Sequence, residues 1–419
     1  MTKNVGIILA ASFVLTAFVA ALPGADDGAT ASDAGISVEG YIYGTVETRS
    51  GKTHTGVLRW DDEEAFWDDL FHSAKDKLPY EEYAEEPDAD EDATWWERMA
   101  TTISGDLNLH HVSRSVAVRF GDLEQIRVTG GNDAVLTLRD GTEIEVSGYA
   151  NDVGATIVVF DAKPGQVEVP WKKIDTITFS ATPPDADPGS FRLRGTVSTT
   201  EGEFVGFIQW DNEESLSTDR LDGDTEDDDV SIAMGDIRSI ERRDRRSSRV
   251  VLKDGTEMVL SGTNDVNDDI RGIHVEDPRF GRVEIAWDEF SGVVFDDPGT
   301  SGASYADYAV PTHLTGTVTL KSGDWRTGKL VFDLDEEWTW EMLVGSSSEI
   351  DYTVPFSMVA SIEPSSGSGC LVRLRNGIEL GLEDSHDVDR DNSGVVVIPS
   401  GSGEPGYVPW REIAKIEFN

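Results

Sequence analysis

Cysteine is almost absent from this chain of 419 residues, in which Cys370 is the only one. A single cysteine excludes an intrachain disulfide, and its position excludes a lipid-modified N-terminal cysteine. Basic residues are also scarce: 35 lysines and arginines oppose 80 aspartates and glutamates, and the formal net charge is -45. With so few cationic side chains, the chain is expected to repel nucleic acid and anionic lipid headgroups.

Recognisable catalytic motifs are lacking as well. The sequence contains no nucleophile elbow, no HExxH, no CxxC and no phosphate-cradling glycine loop. We therefore expect a protein that is not an enzyme. A glycan-cleaving enzyme stays open as a remote alternative, because 80 carboxylates place some pairs at glycosidase-like separations by chance.

Long apolar runs are missing except at the N-terminus. Lys3 precedes an apolar stretch over residues 5–22, and small residues follow at the spacing typical of a cleavage site. This pattern predicts a signal peptide over residues 1–21 and a flexible segment over 22–36, with a retained membrane anchor as the competing interpretation. After cleavage we expect no membrane span and a periplasmic or extracellular location.

The acidity itself has two interpretations. A surface adapted to high salt, or simply to solubility, needs many carboxylates and few lysines, because salt screens their repulsion. A specific role in binding cations is the alternative.

Three stretches of the chain begin alike. They read YGTVETRSGKTHTGVLRWDDEE from Tyr43, RGTVSTTEGEFVGFIQWDNEE from Arg194 and TGTVTLKSGDWRTGKLVFDLDEE from Thr315. Internal similarity at a fixed period indicates repeats. The predicted organisation is repeat 1 over 37–180 with an insertion at about 72–107, a linker at 181–190, repeat 2 over 191–297, a linker at 298–312 and repeat 3 over 313–419.

Each repeat ends in a similar phrase: QVEVPWKKIDTITF, RVEIAWDEFSGVVF or YVPWREIAKIEF. Alternating apolar residues predict a strand, and the short polar interval after each tryptophan predicts a tight 3₁₀ turn. RDGTE, KDGTE and RNGIE carry the signal of tight hairpins. Strand, 3₁₀ turn and strand resemble the last corner of Sm-like and SH3-like small barrels. The predicted fold is all-β, with a pair of five-stranded barrels in each repeat and a partly helical insertion in the first.

The phrases RWDDEEAFWDDLF and NDVNDDIRGIHVEDPRFGRVEIAWDEF also resemble segments of exported bacterial repeat proteins. That resemblance implies a repeat family without an assigned activity, and it transfers no catalytic residue.

Aspartates gather in a loop of the second and third repeats. The candidate calcium ligands are Asp265, Asn267, Asp268, Asp269, Asp387, Asp389 and Asp391. Their hard oxygen donors suit Ca²⁺, but neither loop matches the EF-hand frame. The favoured alternative is an Asx-rich turn in which the side chains bond their own backbone. The clusters WDDEE, WDNEE and FDLDEE are predicted to be solvated turns.

Tryptophans fall into two groups. Trp171, Trp287 and Trp410, in the closing phrases, are predicted core residues, with a ligand cage as the weaker alternative. The candidate ligand or partner contacts are Trp67, Trp95, Trp96, Trp338 and Trp340. Helical spacing is expected both for Phe66, Trp67, Leu70 and Phe71 and for Trp95, Trp96 and Met99. The insertion either stacks on sugars or folds back to cover a barrel, and covering is favoured.

These features favour an exported, non-enzymatic scaffold or binding protein of the bacterial envelope or exterior. Its expected partner is an envelope protein or a polysaccharide. The alternative is a calcium-stabilised protein that binds carbohydrate or cell wall, motivated by the aspartate loops and the tryptophans of the insertion.

Overall fold

The computed structural model of the chain describes residues 37–75, 80, 83, 114–148, 152–161 and 165–419. The predicted signal peptide and flexible segment lie outside the described residues. So does most of the predicted insertion, including Trp95, Trp96 and Met99. We refer to residues 37–180, 191–297 and 313–419 as the first, second and third segments.

Thirty β-strands build the described chain. Those of the first segment are β1 Tyr43–Thr48, β2 Thr53–Trp60, β3 Leu70–Lys75, β4 Arg114–Arg119, β5 Leu123–Val128, β6 Asp133–Leu138, β7 Glu143–Ser147, β8 Thr156–Asp161, β9 Gly165–Pro170 and β10 Ile174–Phe179. Those of the second are β11 Arg194–Thr199, β12 Glu203–Trp210, β13 Arg220–Asp224, β14 Asp229–Ala233, β15 Ile237–Asp244, β16 Ser247–Leu252, β17 Glu257–Ser261, β18 Ile273–Asp277, β19 Gly281–Ile285 and β20 Phe290–Phe295. Those of the third are β21 Thr315–Leu320, β22 Trp325–Phe332, β23 Met342–Ser347, β24 Ile350–Pro355, β25 Val359–Pro364, β26 Cys370–Leu374, β27 Glu379–Leu382, β28 Val395–Ile398, β29 Gly406–Val408 and β30 Ile413–Phe418.

The strands form three antiparallel sheets. Their orders are β4-β3-β7-β6-β5-β10-β1-β2-β8-β9, β14-β13-β17-β16-β15-β20-β11-β12-β18-β19-β24-β23 and β27-β26-β25-β30-β21-β22-β28-β29. In each sheet, the last strand of the segment (β10, β20 or β30) lies between the first strand (β1, β11 or β21) and the fifth strand (β5, β15 or β25). The all-β prediction is confirmed. None of the three sheets closes on itself, so these pairings do not show the predicted small barrels.

The Asp-Gly and Asn-Gly signals mark hairpins, as predicted. Gly141, Gly255 and Gly377 have φ values of 85°, 92° and 89°, which glycine adopts without steric cost. The side-chain oxygen of the Asp or Asn before each glycine accepts a hydrogen bond from the backbone N–H two residues further along, as in Thr142 N to Asp140 Oδ1 at 2.8 Å. These Asx turns set the register of the strands that follow.

Short 3₁₀ turns connect strands within each segment. Trp171–Lys173 and Trp410–Glu412 are 3₁₀ helices, while the residues after Trp287 form a turn before β20. The three tryptophans are 2%, 4% and 7% exposed, which confirms the prediction that they are core residues. Phe120, Met234 and Phe356 begin the 3₁₀ turns of the first half of each segment and are also buried.

The predicted helix around Phe66 and Trp67 is wrong. Phe66 forms an isolated bridge with Tyr41, and Leu70 begins β3. The backbone N–H groups of Ala65 and Phe66 donate to the Asp69 carboxylate, both at 2.8 Å, and so fix a turn. Phe66 packs in one core cluster, whereas Trp67 and Phe71 pack in another. Their spacing in the sequence is the same as that of residues on one face of a helix.

A strand pairing joins the second and third segments. Strand β24 pairs antiparallel with β19, from Arg282 opposite Thr353 to Ile285 opposite Ile350. Gly281 allows the close approach, because a Cβ there would lie 2.7 Å from the Thr353 carbonyl oxygen. The second sheet therefore contains strands from two segments.

Buried ion pairs join the first segment to the other two. Lys75 pairs with Glu341 and donates to the Asp335 carbonyl at 3.0 Å. Arg192 contacts Asp68 at 2.7 Å, and Arg282 contacts Asp69 at 3.2 Å.

The predicted linker at 298–312 is packed against the first sheet. The Tyr305 hydroxyl donates to the Leu123 carbonyl at 2.7 Å, and its ring lies 4.6 Å from that of Trp67. Arg139 donates to the Tyr308 carbonyl at 2.8 Å. Among the described residues, no helix has the length and apolarity needed to cross a bilayer.

Trp210→Ala is expected to destabilise the protein by about 3–5 kcal/mol, because a fully buried indole leaves a cavity. Its indole N–H also loses its bond to the Asp265 carbonyl, at 2.8 Å. Trp325→Ala is the matched control, since Trp325 is 69% exposed, and it should change stability by no more than about 0.5 kcal/mol. Urea denaturation measures both, and equal losses would contradict the assignment of Trp210 to the core.

Candidate functional site

Three acidic corners recur where the second strand of each segment ends. We define the first corner as residues 61–64 with Asp152, the second as 211–214 with Asp265 and the third as 333–336 with Asp387. Each is framed by the last residue pair of a strand pairing: Trp60 opposite Ile157, Trp210 opposite Ile273 and Phe332 opposite Val395.

The backbone of each corner turns sharply. Asp61, Asp211 and Asp333 have φ values of 48°, 50° and 48°, a left-handed conformation that aspartate tolerates better than most residues. The turn directs the following glutamate back toward the sheet, and its N–H bonds to the carbonyl of the last strand residue, as in Glu214 N to Trp210 O at 2.9 Å. The prediction of solvated turns fails for the inward-facing glutamates, since Glu64 and Glu214 are only 4% and 8% exposed, whereas Asp61 and Asp62 are exposed as predicted.

One aspartate in each corner comes from the facing loop and has a structural role. Asp152, Asp265 and Asp387 accept hydrogen bonds from the backbone N–H groups of His72, Asp222 (2.6 Å) and Val344 (2.7 Å). These N–H groups belong to the third strands β3, β13 and β23. Two of the candidate calcium ligands, Asp265 and Asp387, thus hold strands in place.

Of the other candidate calcium ligands, Asn267 and Asp389 bond within their own loops, whereas Asp268 pairs with an arginine of the turn between β15 and β16. The Asn267 side-chain oxygen accepts from Asp269 N at 2.7 Å, which is an Asx turn, and Asp268 pairs with Arg245 at 2.7 Å. Asp389 accepts from Arg390 N at 2.6 Å, and Asp391 is exposed. In the described part of the chain, the carboxylates of neither loop form a group of three within ligand distance.

Carboxylates converge instead in the first and third corners. Ligand oxygens from Glu63, Glu64 and Asp152 lie within 4.8 Å of one another, and so do those of Asp333, Asp335 and Glu336. The recurring WDDEE, WDNEE and FDLDEE clusters were the sequence signal for these sites. Their burial was not predicted, because charge alone suggests solvent exposure.

A glutamate in each corner has a buried oxygen without a hydrogen-bond partner among the described residues. These atoms are the Oε2 oxygens of Glu64, Glu214 and Glu336. Burial, followed by neighbouring carboxylates, raises the pKa of Glu214 to about 9 and the pKa of Glu64 and Glu336 well above the usual range. Burial also raises the pKa of Asp152 to about 7.

The second corner contains its own cation. The Arg271 guanidinium contacts Asp211 at 2.7 Å and also bonds Glu213, and this hydrogen bond holds the pKa of Glu213 below its usual range. Arg271 lies two residues before Ile273, the strand residue that frames the corner. The corresponding residue is Ala155 in the first corner, before Ile157, and Ser393 in the third, before Val395. In the third corner, the His386 imidazole lies against Asp333.

The predicted aromatic contacts do not lie on one open face. Trp67 is fully buried and donates to Thr182 at 3.3 Å, and Trp340 is 2% exposed, so neither of these predicted contact residues presents an open ring face. Trp338 is half-buried and stacks on His313, with ring centroids 3.7 Å apart. Trp95 and Trp96 lie outside the described residues.

Comparison with known proteins gives no relative for this chain. No family model matches the sequence, and neither a curated protein nor a solved structure is significantly similar.

Glu214→Gln is expected to change how stability depends on pH. Because the pKa of Glu214 is raised to about 9 by folding, its neutral form stabilises the protein below its ordinary pKa, and that stabilisation is lost as pH rises toward 9. Glutamine cannot ionise. The variant should therefore gain stability relative to the wild type between pH 5 and 9, by at most about 1.4 kcal/mol per pH unit.

Urea denaturation of both proteins at pH 5.5, 7 and 8.5 measures this difference. Parallel stability curves across that range would contradict the raised pKa of Glu214.

Proposed function

We propose that this chain is an exported, non-enzymatic binding or scaffold protein of the bacterial envelope or exterior. The observation that supports this proposal most directly is a cleft of about 310 Å³ that is lined by residues of all three segments. Its volume lies at the lower end of the range typical of ligand sites, which is about 300–1,000 Å³. The proposed tandem small barrels would supply the rigid surroundings of such a cleft.

The cleft combines apolar and charged groups. Leu70 and Arg119 come from the first segment, Phe207 and Arg282 from the second, and Thr353 and Met358 from the third. Apolar walls with a few polar groups are typical of binding sites, since the polar groups fix the orientation of what binds.

Fixed packing around the cleft supports a binding role. Arg282 bonds Glu276 and Asp69, Arg119 bonds Asp122 at 2.8 Å, and Arg192 lies 4.0 Å above the ring of Phe207. Side chains held in this way lose little further freedom when a partner binds, which favours affinity.

The alternative is a calcium-stabilised protein that binds carbohydrate or cell wall. Its proposed sugar contacts have less support than the cleft. Trp67 and Trp340 are buried, and stacking on a sugar requires an exposed ring face.

Thr353→Trp is expected to weaken capture of a partner at least tenfold, because the indole would fill the cleft. The matched control, Val294→Trp, adds the same ring at an exposed position outside the cleft, where valine is 57% exposed. The measurement is enrichment of envelope proteins and polysaccharides on immobilised full-length mature protein, followed by titration of any enriched component with both variants.

Export is tested separately, by fractionating cells that express the complete chain. The proposal fails if the protein stays in the cytoplasm, if nothing is enriched, or if both variants bind the enriched component as the wild type does.

A further inference from the structure

We propose that the first corner binds a hard divalent cation, of the class of Ca²⁺, Mg²⁺ or Mn²⁺, through Glu63, Glu64 and Asp152. This site differs from the aspartate loops that the sequence suggested. It is independent of the binding or scaffold function proposed above.

The separation of the oxygens fits one ion. A ligand oxygen from each of the three residues lies within 4.8 Å of the other two. Calcium binds oxygens at about 2.3–2.6 Å, so two ligands on opposite sides of it are about 4.6–5.2 Å apart. Three carboxylates at the observed separations can therefore share a single coordination shell, with water completing it.

An unpartnered buried oxygen points to a missing ligand. Glu64 is 4% exposed, and its Oε2 has no hydrogen-bond partner among the described residues. Asp152 is 3% exposed, and its bond from His72 N engages one of its two oxygens. Leaving the Glu64 oxygen buried without a partner is costly, and a cation shared with Asp152 would satisfy it.

The second corner shows what a cation does at this position. There the Arg271 guanidinium bonds both Asp211 and Glu213. In the described residues, the carboxylates of that corner do not form a converging group of three. The first corner has the uncharged Ala155 at the position of Arg271, and its three carboxylates do converge.

Other positive charges near the first corner bond groups other than the three proposed ligands. Arg271 acts electrostatically on Glu63 but bonds Asp211 and Glu213. Arg282 acts electrostatically on Glu64 and Asp152, but it bonds Glu276 and Asp69. Arg59 bonds the Asp219 carboxylate at 2.7 Å and, within the corner, the Asp62 backbone carbonyl at 2.6 Å. These charges temper the repulsion among the carboxylates.

The donor set selects the kind of ion. All three ligands are carboxylates, and oxygen-only sites suit Ca²⁺, Mg²⁺ and Mn²⁺, whereas zinc and copper sites in proteins usually include histidine or cysteine. A net charge of -45 raises the local concentration of any cation. We expect a dissociation constant for Ca²⁺ of about 10⁻⁴–10⁻³ M, as in extracellular modules.

The test compares Glu64→Gln with Glu214→Gln. Both replace a buried glutamate at the same place in its corner by an isosteric neutral residue, but only Glu64 belongs to the proposed site. Calcium binding to the full-length mature protein is measured by isothermal titration and equilibrium dialysis at fixed ionic strength. Glu64→Gln should lower the number of bound Ca²⁺ by one and abolish the corresponding rise in unfolding temperature, while Glu214→Gln should match the wild type.

Glu63→Gln guards against a folding defect in the first variant, because Glu63 is only partly buried and its removal should cost the same bound ion. The proposal is overturned if the wild type binds none of Ca²⁺, Mg²⁺ and Mn²⁺ below about 5 mM, well above the range expected for such sites. It is also overturned if both folded first-corner variants bind Ca²⁺ as Glu214→Gln does, since that result means dispersed surface binding.

Arg271→Ala gives the converse test. It places in the second corner the residue that the first corner already has. The Arg271 side chain is partly exposed, and Asp211 keeps the hydrogen bond from the backbone N–H of residue 271, at 2.6 Å, so the fold should tolerate the change. One additional Ca²⁺ should bind. No additional binding would overturn the inference that Arg271 takes the place of a metal ion.

Discussion

The acidic corners depend on one constraint: a backbone N–H group of the third strand of each segment needs a hydrogen-bond acceptor. Buried N–H groups need acceptors, and in all three segments an aspartate of the facing loop provides one: Asp152, Asp265 or Asp387. The aspartate must lie at the buried end of the sheet to reach its strand. It therefore brings a carboxylate next to the glutamate that the left-handed turn directs inward, and the corner becomes acidic and dry at the same time.

Each corner compensates for this crowding in its own way. The second has an arginine, the third has a histidine against Asp333, and the first has neither at the corresponding position. The backbone geometry is similar in the three corners, and the pKa of the buried glutamate is raised in all of them. Within the described ranges, the carboxylates converge only in the two corners that lack an arginine at the position of Arg271.

The sequence was sufficient for the local features and insufficient for the non-local ones. Alternating residues before Trp171 and the Asp140-Gly141 turn predicted strands, a 3₁₀ turn and a hairpin, because these depend on neighbours in the chain. The helix expected around Trp67 failed because a turn held by Asp69 gives the same apolar spacing. The pairing of β19 with β24 depends on which sheet edges are available, and no periodicity records that.

The candidate site was predictable only in outline. Recurrence of the acidic clusters was visible in the sequence, but the aspartate loops seemed the stronger metal candidates because more oxygens are adjacent there. In the fold, Asn267 bonds within its own loop and Asp268 pairs with Arg245, whereas Asp152 meets Glu63 and Glu64 from a position far along the chain. Proximity in three dimensions and the burial of Glu64 and Asp152 are not recorded in the local sequence.

The pairing of β24 with β19 also bears on what happens when the chain is cut. A product ending before the third segment would leave the hydrogen-bonding groups of β19 from Arg282 to Ile285 without their partners. An uncovered sheet edge is a template for adding strands from other molecules. The third segment thus covers that edge, and proteolysis between residues 298 and 312, followed by loss of the third segment, would expose it to strands of other molecules.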